Sequence, residues 1–551
     1  MRLSSCSALA LFAVALGACT PRATETRPSP APAYDIIITG ARIVDGTGSP
    51  WYYGDVAIRG DRIADVAPKL PRGGAQQVID ATGMVVSPGF IDMLGHSETS
   101  ILRNRTAISK VTQGITSEIT GEVSSVWPNT VAGAESQNLR WTSLAGYFDV
   151  LEDTGVGINL GTFLGAASIR RAVMGDASRS ATAEEIAQMG ELVEQGMRDG
   201  AMGVGAGLIY PPTTWFTTQE LISLVRHAAR YGGGYSTHMR SESDSLLEAI
   251  HEALTIAGGA DTWLQIHHLK AAQERNWGKM RPAVAMIDSA RKAGQDVSVD
   301  MYPYIAAGTG LDAILPTWVQ AGGNDSMLVR LQDPAVRERL RNGREQGEWG
   351  NLERPETILV TGFSEDSLSV YEGRNLKEIG EMRGQNPYEA AYDLLVLDRA
   401  RASAIYFAMS EEDVAYGLQQ PWVSIGQDAG ARTPTPGGLS HPRAFGSFPR
   451  VLGHYVRETG VLQLEDAIRK MTSLPAGRVG LADRGVLKRG MYADVVVFDP
   501  ATVKDEATFT DSQRLSSGIN WVFVNGTAVV ANGVPTEATP GRALRGPGAP
   551  R

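Results

Sequence analysis

Short stretches of alternating apolar and polar residues occupy both ends of the chain. DIIITG, ARIVDG and DVAIRG follow Tyr34, and ADVVVFDP and INWVFVNG come only after residue 490. Alternation with a period of two, interrupted by turn residues, predicts short strands and hairpins. The matching patterns predict one small β-sandwich domain built from residues 34–85 and 484–545.

The middle of the chain repeats a different unit, a helix followed by a strand. Residues 181–200 carry apolar residues at helical spacing, begin with the capping-box pair Thr182 and Glu185, and lead into AMGVGAGLIY. Residues 216–234 repeat this scheme and lead into YSTH. Further helical stretches precede DTWLQIHHLK and DVSVDMYPY. Helix and strand units in series predict a parallel sheet.

The length of this repeating region sets the expected architecture. Residues 86–483 hold enough units to favour an α/β fold with a (β/α)8 TIM-like barrel over a doubly wound sheet. The stretch from about 305 to 400, rich in glycine, arginine and aspartate, does not follow the repeat. We therefore expect an insertion there, over the barrel mouth.

Composition excludes two classes of protein. The 551 residues are 43% hydrophobic and 20% charged, which is enough to bury a large core and excludes a disordered chain. The 51 lysines and arginines are outnumbered by 61 aspartates and glutamates, giving a net charge of -10. This net negative charge provides no positive electrostatic field to attract a phosphate backbone, so a nucleic-acid partner is not expected. The sequence leaves the oligomeric state open.

The N-terminus has the layout of an export signal. An apolar run from Ala8 to Leu16, too short to span a bilayer, follows an arginine and ends in small residues. LGAC, ending at Cys19, resembles a bacterial lipobox, so residues 1–19 are predicted to be a lipoprotein signal peptide and 20–33 a flexible tether. The protein is then periplasmic and touches the membrane only through a lipid on Cys19. An ordinary signal peptide is the alternative.

Cysteine usage restricts the metal chemistry that the folded part can support. Cys6 and Cys19 are the only cysteines, and both lie in the predicted signal. A disulfide framework is therefore not expected. Any metal site must use histidine and carboxylate ligands, which suit zinc.

Five residues that could hold a metal ion lie at the ends of strand-like runs. Barrel active sites form at the C-terminal ends of the strands, and imidazoles and carboxylates that converge there are typical of a metal site. The candidates are His96, Glu122, His238, His268 and Asp428.

Strand parity separates neighbouring side chains. In QIHHLK, His268 and Lys270 share one face and His267 points to the other, so only one of the adjacent histidines can be a ligand. Arg240 has the same parity as His238 and is a further candidate for substrate binding.

A set of motifs in a fixed order carries a family resemblance. PGFIDMLGHSE, TQGITSEITGE, YSTHMRSE, IHHLK, DMYPYIAAGT, IGQDAG, SHPRAFGSFPR and MTSLPAGRVG together resemble the D-aminoacylase (N-acyl-D-amino-acid deacylase) branch of the amidohydrolase superfamily. The resemblance runs from about Tyr34 to the C-terminus. It implies a metal-bearing barrel, a β-sandwich built from both chain ends, and hydrolysis of the amide bond of a small N-acyl-D-amino acid. The D preference rests on the resemblance alone.

The resemblance also implies a ligand set, with two departures. His238 and His268, with Glu122, match the main metal site, and His96 with Asp428 a second, weaker one. Leu94 stands where the family has the first histidine of His-x-His. The chain also lacks the family's bridging cysteine, so Glu122 is the candidate replacement. A single zinc ion is therefore favoured.

Other residues acquire roles through the same resemblance. Asp428 is the expected proton carrier, and His96 orients water or stabilises the oxyanion. Lys270, Tyr302 and Arg443 match positions near the substrate carboxylate, and ion pairs at the barrel rim are the alternative for the basic ones. A carboxylated Lys270 is the competing bridging ligand.

Two other functions stay open at this point. An amidohydrolase of this kind can act on a dipeptide, a cyclic amide or a lactone, because fold and metal do not determine the substrate. Loss of the expected imidazole at Leu94 also allows a binding lipoprotein without catalytic activity.

Overall fold

The computed structural model describes residues 33–129 and 139–550. The predicted signal peptide, 1–19, and all but the last residue of the predicted tether, 20–33, lie outside the described residues. Within the described ranges no helix is both long enough and apolar enough to cross a membrane.

The strands of the described chain are short. They are β1 Tyr34–Ile43, β2 Tyr52–Arg59, β3 Arg62–Ala67, β4 Ala75–Asp80, β5 Val85–Pro88, β6 Phe90–Asp92, β7 Ile115–Thr120, β8 Asn159–Thr162, β9 Leu164–Gly165, β10 Gly203–Gly207, β11 Gly234–His238, β12 Leu264–Ile266, β13 Val297–Met301, β14 Ala306–Gly310, β15 Ile358–Gly362, β16 Ser403–Phe407, β17 Val423–Ile425, β18 Val495–Phe498, β19 Ile519–Val524, β20 Thr527–Ala531 and β21 Val534–Pro535.

The α-helices lie mainly between these strands. They are α1 Ile108–Val111, α2 Leu144–Thr154, α3 Ala166–Met174, α4 Ala183–Asp199, α5 Thr218–Ala229, α6 Leu246–Ala260, α7 Met280–Lys292, α8 Thr317–Gln320, α9 Gly323–Gln332, α10 Pro334–Gly343, α11 Leu376–Arg383, α12 Pro387–Leu397, α13 Glu411–Leu418, α14 Arg443–Arg450, α15 Leu464–Met471 and α16 Ser473–Arg478. A π-helical turn, Val451–Glu458, continues α14.

Parallel strands surround the centre of the molecule. One sheet contains β6, β7 and β8, and a second runs β9, β10, β11, β12, β13, β17. The chain passes directly from β8 to β9, which joins the two sheets. Between β17 and β6 the ring closes through hydrogen bonds, where the Asp428 amide donates to the Leu94 carbonyl at 2.7 Å. The α/β fold predicted from the helix and strand repeats is confirmed.

The capping-box predictions are confirmed at both helices. The Thr182 hydroxyl accepts from the Glu185 amide and the Glu185 carboxylate accepts from the Thr182 amide, at the start of α4. Thr217 and Glu220 make the same reciprocal pair at the start of α5. These pairs satisfy amide groups that the first helical turn leaves without partners.

The two ends of the described chain pair in one nine-stranded sheet. Its order is β21-β20-β19-β18-β5-β1-β2-β3, with β4 beside β1. The antiparallel pairing of β18 with β5, which sets Val495 opposite Pro88, joins the C-terminal strands to the N-terminal ones. Whether this sheet folds into the two layers of a sandwich stays a prediction.

The segment between β13 and β17 has a sheet of its own. β14, β16 and β15 pair antiparallel, and several short helices lie between β14 and β16. This unit ends at Phe407, beyond the boundary near residue 400 that composition indicates. Antiparallel pairing explains why the helix and strand repeat is interrupted here.

A buried ion cluster connects β6, β7, α1 and the segment after β17. The Lys110 ammonium lies 2.8 Å from an Asp92 oxygen and 3.1 Å from a Glu118 oxygen, and all three side chains are fully buried. The same ammonium donates to the Ala429 carbonyl at 2.7 Å. Buried charges of this kind are tolerated only when they are paired.

Lys110→Met tests this cluster. The substitution leaves two carboxylates buried without a cation, so we expect a loss of about 3–5 kcal/mol of stability. Urea denaturation measures the loss as a lower midpoint of the main transition. Arg281→Met breaks the exposed pair with Glu412 and should cost about 0–1 kcal/mol. Equal midpoints for the two variants would contradict the assignment.

Candidate metal centre

The predicted site residues gather at one mouth of the barrel. Each follows a strand or ends one, and all five line a cavity of about 460 Å³. They are His96 after β6, Glu122 after β7, His238 at the end of β11, His268 after β12 and Asp428 after β17. Parallel strands bring their carboxyl ends to the same edge, which explains why residues distant in sequence meet here.

Glu122, His238 and His268 form one group that could hold a metal ion. Their ligand atoms lie within 4.8 Å of one another, and all three side chains are buried. Oε1 of Glu122 lies 2.7 Å from Nε2 of His268 and 3.5 Å from Nδ1 of His238. Two nitrogens and one oxygen are the donor set that zinc accepts.

The chemistry of this group fits a bound cation. Oε1 of Glu122 is buried and has no hydrogen-bond partner among the described residues, although Nε2 of His268 is so near. The two atoms therefore approach each other without the alignment of a hydrogen bond. A buried carboxylate oxygen without a partner is costly, and a cation held between Glu122 and the two imidazoles would supply that partner.

His96, Glu122 and Asp428 form a second, overlapping group. Nε2 of His96 lies 3.5 Å from Oε2 of Glu122 and 2.9 Å from Oδ1 of Asp428. The two oxygens of Glu122 thus face different groups, as a bridging carboxylate requires. The second group adds only His96 and Asp428 to the residues of the first group. The neighbouring Leu94 is buried and contributes no ligand atom.

The strand-parity argument separates His267 from His268 by assuming that both residues lie in a strand, and the structure does not bear out that assumption. β12 ends at Ile266, before both histidines. His268 adopts a left-handed backbone with φ of 34°, and its Nε2 lies 2.7 Å from Oε1 of Glu122. His267 faces away, and its Nδ1 lies 2.8 Å from an Asp300 oxygen.

Arg240 lies outside the cavity, contrary to the parity argument. β11 ends at His238, so alternation does not extend to residue 240. The guanidinium binds both oxygens of Glu252 at 2.8 and 3.0 Å and donates to the Thr214 and Phe216 carbonyls. These contacts place Arg240 in a structural role.

Lys270, Tyr302 and Arg443 all line the cavity. The Lys270 ammonium contacts Glu242 at 2.6 Å and Nδ1 of His268 at 2.8 Å. It therefore lies on the far side of the His268 ring from Glu122, and the geometry favours Glu122 over a carboxylated Lys270 as bridging ligand.

Arg443 and Tyr302 present unused donors to the cavity. The Arg443 guanidinium lies over the Tyr302 ring at 4.8 Å and 2.8 Å from Oδ2 of Asp428. The Tyr302 hydroxyl and Nε of Arg443 are buried without hydrogen-bond partners among the described residues, whereas Nη1 of Arg443 forms the ion pair with Asp428. Donors of this kind need a partner, which a bound anion supplies.

Sequence reasoning missed Glu242. This residue is completely buried, and its carboxylate lies 2.9 Å from Nδ1 of His268 and 3.4 Å from Nε2 of His238. The available signal was its place in YSTHMRSE, four residues after His238, but the strand ends between them and spacing alone does not predict the contact.

The charges of the site act on one another strongly. Burial raises the pKa of the Glu122 carboxyl, but His268 and His238 outweigh it and hold the pKa well below its usual value. Burial and the Lys270 ammonium lower the pKa of His268, while Glu242 and Glu122 raise it further, to about 10. Without an ion the site therefore keeps His268 protonated.

A model of the amidohydrolase family matches residues 77–530. D-aminoacylase of Alcaligenes xylosoxydans xylosoxydans is 36% identical over 520 residues, which cover 93% of this chain and 97% of that one. N-acyl-D-glutamate deacylase of the same organism is 35% identical over 93% of this chain and 96% of its own length.

Solved structures agree with these relatives. The N-acyl-D-glutamate deacylase of Bordetella bronchiseptica was solved with zinc and a phosphonate that mimics the tetrahedral intermediate. It is 34% identical, covers 93% of this chain and 99% of its own, and gives a TM-score of 0.79. A D-aminoacylase that is activated by one metal and attenuated by a second gives a TM-score of 0.78 at 35% identity, over 93% of this chain and 100% of its own.

Zinc binding should release protons and strengthen as the pH rises. The imidazole of His268 must lose its proton before a cation can take Nε2, and its pKa of about 10 keeps that proton bound at neutral pH. Between pH 6 and 9 we expect the apparent zinc affinity to rise by up to about tenfold per pH unit for each proton released. Calorimetric titration of the metal-free protein in buffers of different ionisation enthalpy counts the protons.

His238→Ala is the control for this titration, because it removes one of three ligands and should abolish tight binding. Zinc binding by the unchanged chain without proton release would contradict a protonated His268, whereas unchanged zinc affinity in His238→Ala would contradict the ligand assignment.

Proposed function

The chain belongs to the amidohydrolase family, and we propose that it is a metal-dependent deacylase that hydrolyses the amide bond of N-acyl-D-amino acids. The products are a carboxylic acid and a free D-amino acid. The observation that carries the proposal is the convergence of two imidazoles and a carboxylate in a buried cavity, in a chain similar along most of its length to deacylases of this substrate class.

We propose zinc as the metal and Glu122, His238 and His268 as the residues that hold it. A bound zinc ion polarises a carbonyl oxygen and lowers the pKa of water toward neutrality. One tightly bound ion is favoured, because the second group gains only His96 and Asp428 and Leu94 adds no ligand atom. The similar D-aminoacylase that one metal activates supports this stoichiometry.

Asp428 is the proposed proton carrier. Burial raises its pKa, but the Arg443 guanidinium and His96 outweigh it and hold the pKa well below the usual value. The carboxylate is therefore ionised at neutral pH and can accept a proton from attacking water. It then donates that proton to the departing amine nitrogen, which is a poor leaving group until protonated. His96, 2.9 Å from Oδ1, holds the carboxylate in place, and its proposed role is to orient the attacking water or to stabilise the oxyanion.

The unused donors of Tyr302 and Arg443 form the proposed subsite for the substrate α-carboxylate. Both lie in the cavity wall, and a carboxylate there would satisfy the buried hydroxyl and the guanidinium Nε together. Lys270 adds positive charge to the same wall, although its ammonium is already bound to Glu242.

We also propose that the protein is exported and anchored through Cys19. The support is the sequence of residues 1–19 alone, with its short apolar run and its lipobox-like end.

Release of free amine from matched N-acetyl-D and N-acetyl-L amino acids tests the function. We expect the D series to be hydrolysed, activity to disappear on chelation, and zinc to restore it. Asp428→Asn should keep the zinc and the fold and lower kcat by at least about 10²-fold, because the amide cannot accept a proton at neutral pH. Hydrolysis of only L substrates, dipeptides or lactones would contradict the proposed substrate class. An Asp428→Asn variant as active as the unchanged chain would contradict the role of Asp428 as proton carrier.

Tyr302→Phe tests the carboxylate subsite. Its hydroxyl has no hydrogen-bond partner in the described part of the chain, so its loss should leave the thermal midpoint unchanged. A hydrogen bond to a charged group contributes about 1.5–3 kcal/mol, so we expect kcat/KM to fall about 10- to 100-fold, mainly through KM. Steady-state kinetics with N-acetyl-D-methionine measures the effect, and an unchanged KM would place the carboxylate elsewhere.

A further inference from the structure

Glu242 lies behind the two histidines of the proposed metal site, on the side away from Glu122. Nε2 of His268 faces Glu122 at 2.7 Å, and Nδ1 of the same ring faces Glu242 at 2.9 Å. His238 uses its nitrogens in the opposite order, with Nδ1 at 3.5 Å from Glu122 and Nε2 at 3.4 Å from Glu242. The imidazole pair is thus enclosed between two carboxylates.

The polar atoms of this arrangement have few other partners. Oε2 of Glu242 and Nε2 of His238 are both buried and lack a hydrogen bond among the described residues. They lie 3.4 Å apart, so each is the group that can satisfy the other. Oε1 of Glu242 accepts from the Lys270 ammonium at 2.6 Å and lies 2.9 Å from Nδ1 of His268, which the same ammonium contacts at 2.8 Å.

The backbone of Glu242 is held on both sides. Its amide donates to Oε1 of Glu348 at 2.7 Å, and its carbonyl accepts from the Ala272 amide at 2.7 Å. Glu348 also accepts from Ser241 and Ser243, so the whole turn before α6 is connected to the segment between β13 and β17. A side chain on such a backbone has little freedom to follow the rings and instead restrains them.

We propose that Glu242 is a positioning residue, whose single carboxylate orients both metal-binding imidazoles and leaves Nδ1 of His238 and Nε2 of His268 free for the ion. The inference rests on the proposed metal site. Carboxylates that accept the second ring N–H of a ligand histidine fix the ring and increase its basicity as a ligand. Here one carboxylate performs this role for two rings.

Zinc affinity tests the inference without any substrate. Competition with a chromophoric chelator gives the dissociation constant of the full chain and of Glu242→Gln, which keeps the shape and removes the charge. We expect zinc binding to weaken about 10- to 100-fold. Cobalt substitution adds a second readout, because a rotated imidazole alters the d–d absorption bands, whereas a structural defect elsewhere does not.

Glu252→Gln is the matched control. Glu252 lies on α6 and pairs with Arg240 in the loop before that helix, and it is partly buried but touches neither imidazole. Its zinc affinity and cobalt spectrum should equal those of the unchanged chain.

A second variant keeps the inference testable if Glu242→Gln fails to fold. Glu242→Gln leaves the buried Lys270 without its carboxylate, so Glu242→Gln/Lys270→Met, which removes both charges, is measured beside it. Weaker zinc binding in both variants supports the inference. Wild-type affinity and spectrum in either folded variant overturn it and leave the metal site intact, whereas a wild-type chain that binds no zinc overturns both proposals.

Discussion

The contact between the Glu122 carboxylate and the imidazoles of His238 and His268 is the interaction on which the rest of the site depends. These groups come from three strands and meet in a buried cavity, where charge without a partner is costly. Each further charged group in the site then compensates the charge of the group before it. Glu242 faces the other nitrogens of the rings, and Lys270 balances Glu242. The site is a chain of alternating charges, and its members cannot be exchanged independently.

The stability of the barrel and the placement of Asp428, the proposed proton carrier, depend on the same contacts. The Asp428 amide donates to the Leu94 carbonyl where β17 meets β6, and Asp92 accepts from the Leu94 and Gln427 amides. Lys110 pairs with Asp92 and also holds the Ala429 carbonyl. The segment that carries Asp428, whose φ of 54° is unusual for a residue other than glycine, is therefore held by the buried ion cluster beneath it.

Much of the fold follows from local patterns. Apolar spacing and capping boxes predict α4 and α5 because those signals lie within a few residues. The position where a strand ends, however, depends on its pairing with neighbouring strands. The strand-parity prediction was therefore wrong for Arg240, which lies beyond the end of β11. It separated His267 from His268 correctly, although β12 ends at Ile266, before both residues. Glu242 was missed because its partners come from two strands, and no local pattern reports such a meeting.

The absence of sulfur from the site has a physical consequence for where the protein could work. Both cysteines precede the described residues, so the proposed metal site takes an oxygen from Glu122 at the position where the family resemblance implies a thiolate. Thiolates are oxidised in compartments that favour disulfides, whereas a carboxylate is not. Under the proposed export, a bridging glutamate would keep its chemistry in such a compartment. One oxygen of Glu122 faces the first metal group and the other oxygen faces the second. A single sulfur atom would have to bind both ions itself to do the same. The proposed oxygen ligation and the proposed export are therefore mutually consistent.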